Sequence, residues 1–282
     1  MSRKIRLYAV LTKPKITFLN LLTGLVSYFL AGGGPQGALH LSVAGYLSVG
    51  GASAINHFLD VDIDSKMGRT SRRPLPSGRL NPRNALVFGL ALTTASAVYS
   101  LLFINVLTTS FMLMGVLVYV FVYTLWLKRR SVWNIVIGGA AGSCSPLAGW
   151  AAAGADFTVV PALLALVVFL WTPGHFWALA IRAAEDYRSA GLPMLPVKHG
   201  FLPTAKAILA SNLLSVMAAL LLTPFVSTPL AYLALVVPSS AWLLHENLKT
   251  IKYQSKAHAW NAFKASSPWL SVVFAALLLA WI

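Results

Sequence analysis

Asn56, Asp60 and Asp64 recur every fourth residue in the stretch AINHFLDVDIDSKMGRTSRRPLPSGRL. On a continuous helix each step drifts about 40° and rises about 6 Å, so the three share one face while Asp62 points away. Two carboxylates about 4 Å apart repel by roughly 4 kcal/mol at an effective dielectric of 20, about three pKa units. Left alone, one of them takes up a proton. A divalent cation removes that conflict, and a donor set made only of oxygen suits Mg²⁺. Asn56 adds a neutral oxygen without adding repulsion.

Arg69, Arg72, Arg73 and Arg79 follow within 15 residues of Asp64. Acids and arginines this close can pair with each other as a solvated loop network. Alternatively, a metal ion joins the carboxylates to a diphosphate whose remaining oxygens lie in the Arg forks, which satisfies both sets at once. A second acidic pair, Glu185 and Asp186, ends another apolar run. Charge costs about 2.5–3.5 kcal/mol at the centre of a membrane helix, so acids kept near one need a reason. The two remaining acids, Asp156 and Glu246, are isolated and read as solvated.

The elements that must position these groups are membrane helices. The chain is 57% hydrophobic and 10% charged, against about 25% charged in a soluble domain. A span needs roughly 20 apolar residues. Nine runs qualify: Ile16–Ala31, Ala38–Leu59, Ala85–Asn105, Thr108–Leu127, Val132–Ala153, Phe157–Ile181, Ala207–Val226, Leu230–His245 and Pro268–Ile282. They predict an all-α, polytopic bundle forming a single domain over 1–282, without repeats or a soluble domain.

The N-terminus and segments 60–84, 128–131, 182–206 and 246–267 hold all 22 Lys and Arg, and the intervening connections hold none. This bias puts the N-terminus and both acidic segments on the cytoplasmic side, and an odd number of spans puts the C-terminus outside. The N-terminus has the basic-then-apolar order of a signal peptide but no convincing A-x-A site, and reads as a retained first helix. The net charge of +15 comes from these short clusters, which fits a phosphate-attracting membrane surface and not a nucleic-acid partner. Cys144 is alone, so neither a disulfide nor a Cys-based metal cage is open to it. It reads as a small buried hydrophobe.

Lys128, Arg129 and Arg130 are either topogenic charges or anion contacts, and Tyr123, a turn or so earlier, either packs helices or lines a site. His175, within W-x-P-x-H-F-W, is costly inside a membrane unless bonded or used. His57 is expected to face away from Asn56 and to be structural.

Asn56, Asp60 and Asp64, followed by Arg69, Thr70, Arg73, Pro74 and Leu75, resemble the UbiA superfamily of intramembrane prenyltransferases. YTLWLKRRSVWNIVIGG (Tyr123 to Gly139) and WTPGHFWALAIRAAEDYRSAGLPMLPVKHG (Trp171 to Gly200) resemble its branch that farnesylates protoheme. The resemblance runs from the first helix to at least Gly200. It implies a UbiA-like bundle around a cavity open to the membrane, with two acidic motifs holding Mg²⁺ against an isoprenyl diphosphate. Asn56, Asp60 and Asp64 match the first motif. Many relatives carry two aspartates four residues apart in the second, but here Arg182 precedes Asp186 by four. That leaves Asp186, with Glu185, as the second set.

By the same resemblance Arg69, Arg72, Arg73, Lys128 and Arg129 contact the diphosphate, while His175, Trp177, Tyr123 and His199 face the acceptor. For His175 this means iron ligation, a propionate contact or a bond to another helix. The implied reaction joins farnesyl diphosphate to the 2-vinyl group of haem b in a bacterial cell membrane, giving haem O, with haem as substrate and not a resident cofactor. A transient contact with a haem A synthase or terminal oxidase is implied as well. The rival readings are a related transferase for another aromatic or tetrapyrrole acceptor and a non-enzymatic membrane carrier. A carrier calls for acids through the bilayer or basic groups on both faces, and this chain has neither.

Overall fold

The computed structural model describes residues 3–281. Met1 and Ser2, at the basic N-terminus, and Ile282, the predicted end of the last span, lie outside the described residues. Nine long helices occur among the described residues: α1 (Pro14–Leu30), α2 (Pro35–Leu59), α3 (Pro82–Phe103), α4 (Val106–Leu127), α5 (Asn134–Ala152), α6 (Val159–Arg182), α7 (Phe201–Leu220), α8 (Pro229–Tyr253) and α9 (Lys256–Trp281). The chain is a multi-pass membrane protein. Seven of the nine are long and apolar enough to cross a bilayer. The other two are α1, which has 17 residues, and α8, which runs two turns past the predicted His245 into charged sequence. Leu102, Leu230 and Leu279 stand mostly exposed, as expected of a surface solvated by hydrocarbon.

Helix starts follow local chemistry. Proline opens α1, α2, α3 and α8, where a missing N–H costs nothing. The side chains of Asn81, Asn105 and Thr158 cap α3, α4 and α6 by accepting backbone N–H groups. Close packing uses small residues: a Cβ on Gly149 would lie 1.9 Å from the Gly24 carbonyl oxygen, so α5 meets α1 backbone to backbone. Ser27 adds a hydrogen bond to the Pro146 carbonyl at 2.7 Å.

Three helices are irregular where they face the site, α5 being interrupted at Gly139. In α6, Pro173 removes a backbone donor, and Ser211 of α7 is spliced in beside it. Its hydroxyl donates to the Leu170 carbonyl at 2.5 Å and accepts the Gly174 N–H at 3.1 Å. In α4, residues Val118–Leu127 form a π-helix, where a regular helix is expected. The wider winding stacks Tyr119 on Tyr123 at 5.7 Å, and such segments frequently mark functional sites.

Ile63 and Met67, from the segment after α2, share an apolar cluster with Trp177 of α6 and with Tyr187 and Met194 beyond it. Burying such side chains contributes about 1.5–3 kcal/mol each, which draws the two acidic segments to one end of the bundle. Glu246 corrects an expectation. It is buried in α8, with its carboxylate 3.3 Å from Lys249, because the helix continues past it and keeps it against the core.

Candidate active site

Asn56 lies in the last turn of α2, which gives way at Asp60 (φ −98°, ψ 5°) to the short helix Val61–Lys66. Backbone bonds from Asp60 N to Asn56 O (3.0 Å) and from Asp64 N to Asp60 O (2.7 Å) carry the four-residue spacing across the break. The three side chains are therefore all buried, with 3, 2 and 3% of their surface exposed. Asp62 is 52% exposed and forks with the Arg129 guanidinium at 2.8 Å through both oxygens. That pairing holds the Asp62 carboxyl below its ordinary 3.8, although partial burial opposes it.

Each buried acid has a cation. The Lys128 ammonium donates to Asp60 Oδ2 at 2.5 Å, and Arg73 Nη1 donates to Asp64 Oδ2 at 2.7 Å. Asn56 donates through Nδ2 to Asp60 Oδ2 (2.7 Å) and to the Thr124 hydroxyl (3.0 Å). Its Oδ1 accepts from the Lys13 ammonium at 2.7 Å, which also donates to Tyr119 at 2.9 Å. Acids and bases do pair here, but out of solvent. Lys13, Arg73 and Lys128 outnumber Asp60 and Asp64, so the cluster holds a surplus of positive charge suited to an anion.

Asp60 Oδ1 is buried without a hydrogen-bond partner among the described residues. No three His, Cys, Asp or Glu side chains form a ready-made cage among the described residues. One or two carboxylates, an amide oxygen and an orphaned carboxylate oxygen fit Mg²⁺, which commonly takes its other ligands from water and substrate phosphate.

The second acidic segment is built differently. Asp186 belongs to the short helix Ala184–Ser189, and its two oxygens accept the backbone N–H groups of Gly68 (3.0 Å) and Arg69 (3.2 Å). It thereby anchors the turn that carries Arg69 and Arg73. Glu185 is 64% exposed and pairs with Lys256 at 2.8 Å, away from the first motif. That hydrogen bond holds its carboxyl below the ordinary 4.5. Tyr187 packs under the basic turn. Burial raises its phenol above 10, and the guanidiniums of Arg69 and Arg73 oppose the rise. Arg72 is exposed, and what it gives the loop is its carbonyl, which accepts from Arg79 Nη2.

Next to Lys13 and Tyr119 opens a cavity of about 1000 Å³ among α1, α2, α4, α5, α6 and α9. Tyr123, His175 and Phe176 line it, together with Trp171 and Phe263. Trp177 does not. It is turned into the core, its indole N–H lacking a partner among the described residues. His199 is exposed at the end of the short helix Leu195–His199 and takes no part in the cavity wall. His57 is buried, and neither ring nitrogen has a partner among the described residues.

Four residues of this arrangement are not singled out by sequence reasoning: Lys13, Tyr119, Thr124 and Phe263. Lys13 carries one signal, a lysine directly before a helix-opening proline, but in sequence it counts as one more topogenic charge. Tyr119 and Thr124 both lie in the π-helical stretch, where the Thr124 hydroxyl donates to the Tyr119 carbonyl at 2.8 Å.

Residues 20–281 match the model of the UbiA prenyltransferase family. The chain is 43% identical over 285 residues to a protoheme IX farnesyltransferase of Symbiobacterium thermophilum, covering 98% of this chain and 94% of that one. It is 42% identical over 276 residues to protoheme IX farnesyltransferase 1 of Cenarchaeum symbiosum, covering 95% and 93%. Its fold is similar to the structure of a UbiA homologue from Archaeoglobus fulgidus bound to GPP and Mg²⁺. There the TM-score is 0.69 and the identity 18%, over 96% of this chain and 99% of that one.

Proposed function

The chain belongs to the UbiA prenyltransferase family, and from that premise we propose that it transfers farnesyl from farnesyl diphosphate to the 2-vinyl group of haem b, yielding haem O and diphosphate. The observation that carries the reading is the buried row Asn56–Asp60–Asp64 with its surplus of cations, one hydrogen bond from a large apolar cavity. The specificity for haem rests on identity above 40% to protoheme IX farnesyltransferases over nearly the whole chain.

The reaction breaks the bond between the allylic C1 and a diphosphate oxygen, and the electron pair leaves with the diphosphate. Lys13, Arg73 and Lys128 hold positive charge where that charge develops, with Arg69 beside them on the same turn. Asn56, Asp60 and Asp64 are the residues that would hold Mg²⁺, with Asp186 as an outer contributor through the turn it anchors. When bound, the metal supplies further charge neutralisation at the leaving diphosphate.

The walls of the cavity keep water from the allylic cation until the vinyl π electrons attack it and form the new carbon–carbon bond. The faces of Tyr123, Trp171, Phe176 and Phe263 suit that cation. The second cation, beside the porphyrin, takes a water and releases a proton to leave a hydroxyl group. The fifteen-carbon chain sorts into the cavity and bilayer at about 0.8 kcal/mol per CH₂, and the diphosphate stays at the charged rim.

In this reading the chain is a single domain and the charged end faces the cytoplasm of a bacterial cell. A terminal oxidase or a haem A synthase would receive the product by transient contact. The test is mass spectrometry of haem extracted after incubating the purified protein with farnesyl diphosphate, Mg²⁺ and haem b, with 4-hydroxybenzoate as a competing acceptor. Haem gaining one farnesyl group and one hydroxyl group supports the reading. Prenylated 4-hydroxybenzoate with unmodified haem overturns it in favour of another acceptor.

A further inference from the structure

The imidazole of His175 is held more tightly than packing alone requires. It is stacked between Trp171, with ring centroids 4.5 Å apart and planes at 21°, and Phe263, at 4.4 Å and 28°, with Phe176 edge-on. Phe263 stacks in turn on Trp260, whose other neighbour is the Arg182 guanidinium. A hydrogen bond fixes the remaining freedom. His175 Nδ1 lies 2.6 Å from Ser266 Oγ, and the Ser266 hydroxyl lies 2.7 Å from the Phe263 carbonyl.

A serine has one proton to donate, and a carbonyl can only accept. Both contacts are satisfied in a single arrangement: the serine proton goes to the Phe263 carbonyl, and Nδ1–H donates to Oγ. The other tautomer gives up one of the two bonds. Ser266 is itself buried, and its carbonyl accepts the Trp171 indole N–H at 2.9 Å. The residue is thus tied to both α6 rings, one helical turn apart. Nε2 is left as a bare lone pair with no hydrogen-bond partner among the described residues, on a side chain that lines the cavity.

We propose that Ser266 is a positioning residue that locks His175 in the Nδ1–H tautomer, so that Nε2 is the axial ligand of the acceptor's iron. A neutral imidazole oriented through its second nitrogen is the usual form of a histidine metal ligand, and the outer hydrogen bond raises its basicity. Iron ligation would fix the centre of the flat macrocycle at one point and so set the distance from its edge to the allylic carbon. The inference rests on haem being the acceptor.

The test uses the purified full-length protein without farnesyl diphosphate, titrated with ferric haem b and followed by optical absorption and electron paramagnetic resonance. The wild type is expected to bind haem with an imidazole-ligand signature. His175→Ala loses that signature, and added imidazole restores it. Ser266→Ala retains the fold but weakens haem binding about 10-fold or more, the usual cost of losing an outer partner. Ser266→Thr, which keeps the hydroxyl, restores binding. An unchanged signature in His175→Ala, or unchanged affinity in Ser266→Ala, overturns the ligation while leaving haem as the acceptor. No saturable haem binding to the wild type removes both readings.

Discussion

The two acidic segments end at the same face of the bundle and share an apolar cluster, yet their carboxylates are used in opposite ways. Asp60 and Asp64 are sealed from solvent and neutralised by Lys128 and Arg73. Glu185 is exposed and paired with the similarly exposed Lys256, and Asp186 is spent on two backbone N–H groups. Burial is what separates them. A carboxylate out of water is costly unless paired, so the first set must exchange partners when a ligand arrives, whereas the second can stay as it is. In the proposed reaction the first segment would contact the leaving diphosphate, and the second holds the turn at Gly68–Arg69 through Asp186.

The largest effect that would sharpen this contrast is at the first segment. Asp64→Asn is expected to lower turnover by about 100- to 1000-fold, with helical content unchanged by circular dichroism. Activity near wild type would erase the distinction. Arg73→Ala comes next. Loss of a charge-assisted bond worth about 1.5–3 kcal/mol should raise KM for farnesyl diphosphate by about 10-fold or more, with little change in KM for haem. Equal effects on both substrates would assign Arg73 to packing.

At the second segment the effects shrink. Asp186→Asn leaves half of the carboxylate's acceptors, so the turn at Gly68–Arg69 loosens and KM for the diphosphate rises by about 3- to 10-fold, about 1 kcal/mol for one lost bond. Glu185→Gln should stay within about twofold in every kinetic constant, since exposed pairs contribute little. A loss at Glu185 as deep as that at Asp64 would make the two segments equals.

Asp62 gives the smallest effect and a sign to check. Arg129 depresses its pKa in the folded state, so its contribution is present above the ordinary 3.8 and lost as pH falls through the lower folded value. The stability gap between wild type and Asp62→Asn should be under about 1 kcal/mol and should narrow only on acidification below about pH 4, read by thermal unfolding in detergent.

Much of this was legible in the sequence because it is local arithmetic. Residues 56, 60 and 64 keep their shared exposure even though the helix breaks at Asp60, since each backbone bond still spans four residues. Among the described residues the nine apolar runs correspond to nine long helices, seven of them long and apolar enough to cross a bilayer, since hydrocarbon thickness sets the length a span needs. What escaped depended on rotation or on distant partners. Val118–Leu127 reads as an ordinary apolar stretch, so the π-helix that carries Tyr119, a partner of Lys13, leaves no trace in periodicity. Trp177 and Phe176 are adjacent in α6 and equally eligible from sequence, but Phe176 lines the cavity while Trp177 packs into the core. Ser266 lies 91 residues from the histidine it touches.

The most direct measurement is calorimetric binding of farnesyl diphosphate, with and without Mg²⁺, to the wild type, Asp64→Asn and Glu185→Gln in the absence of acceptor. Mg²⁺-dependent binding that survives in Glu185→Gln and is lost in Asp64→Asn is the predicted result. Binding of equal strength in all three, indifferent to Mg²⁺, would contradict the account.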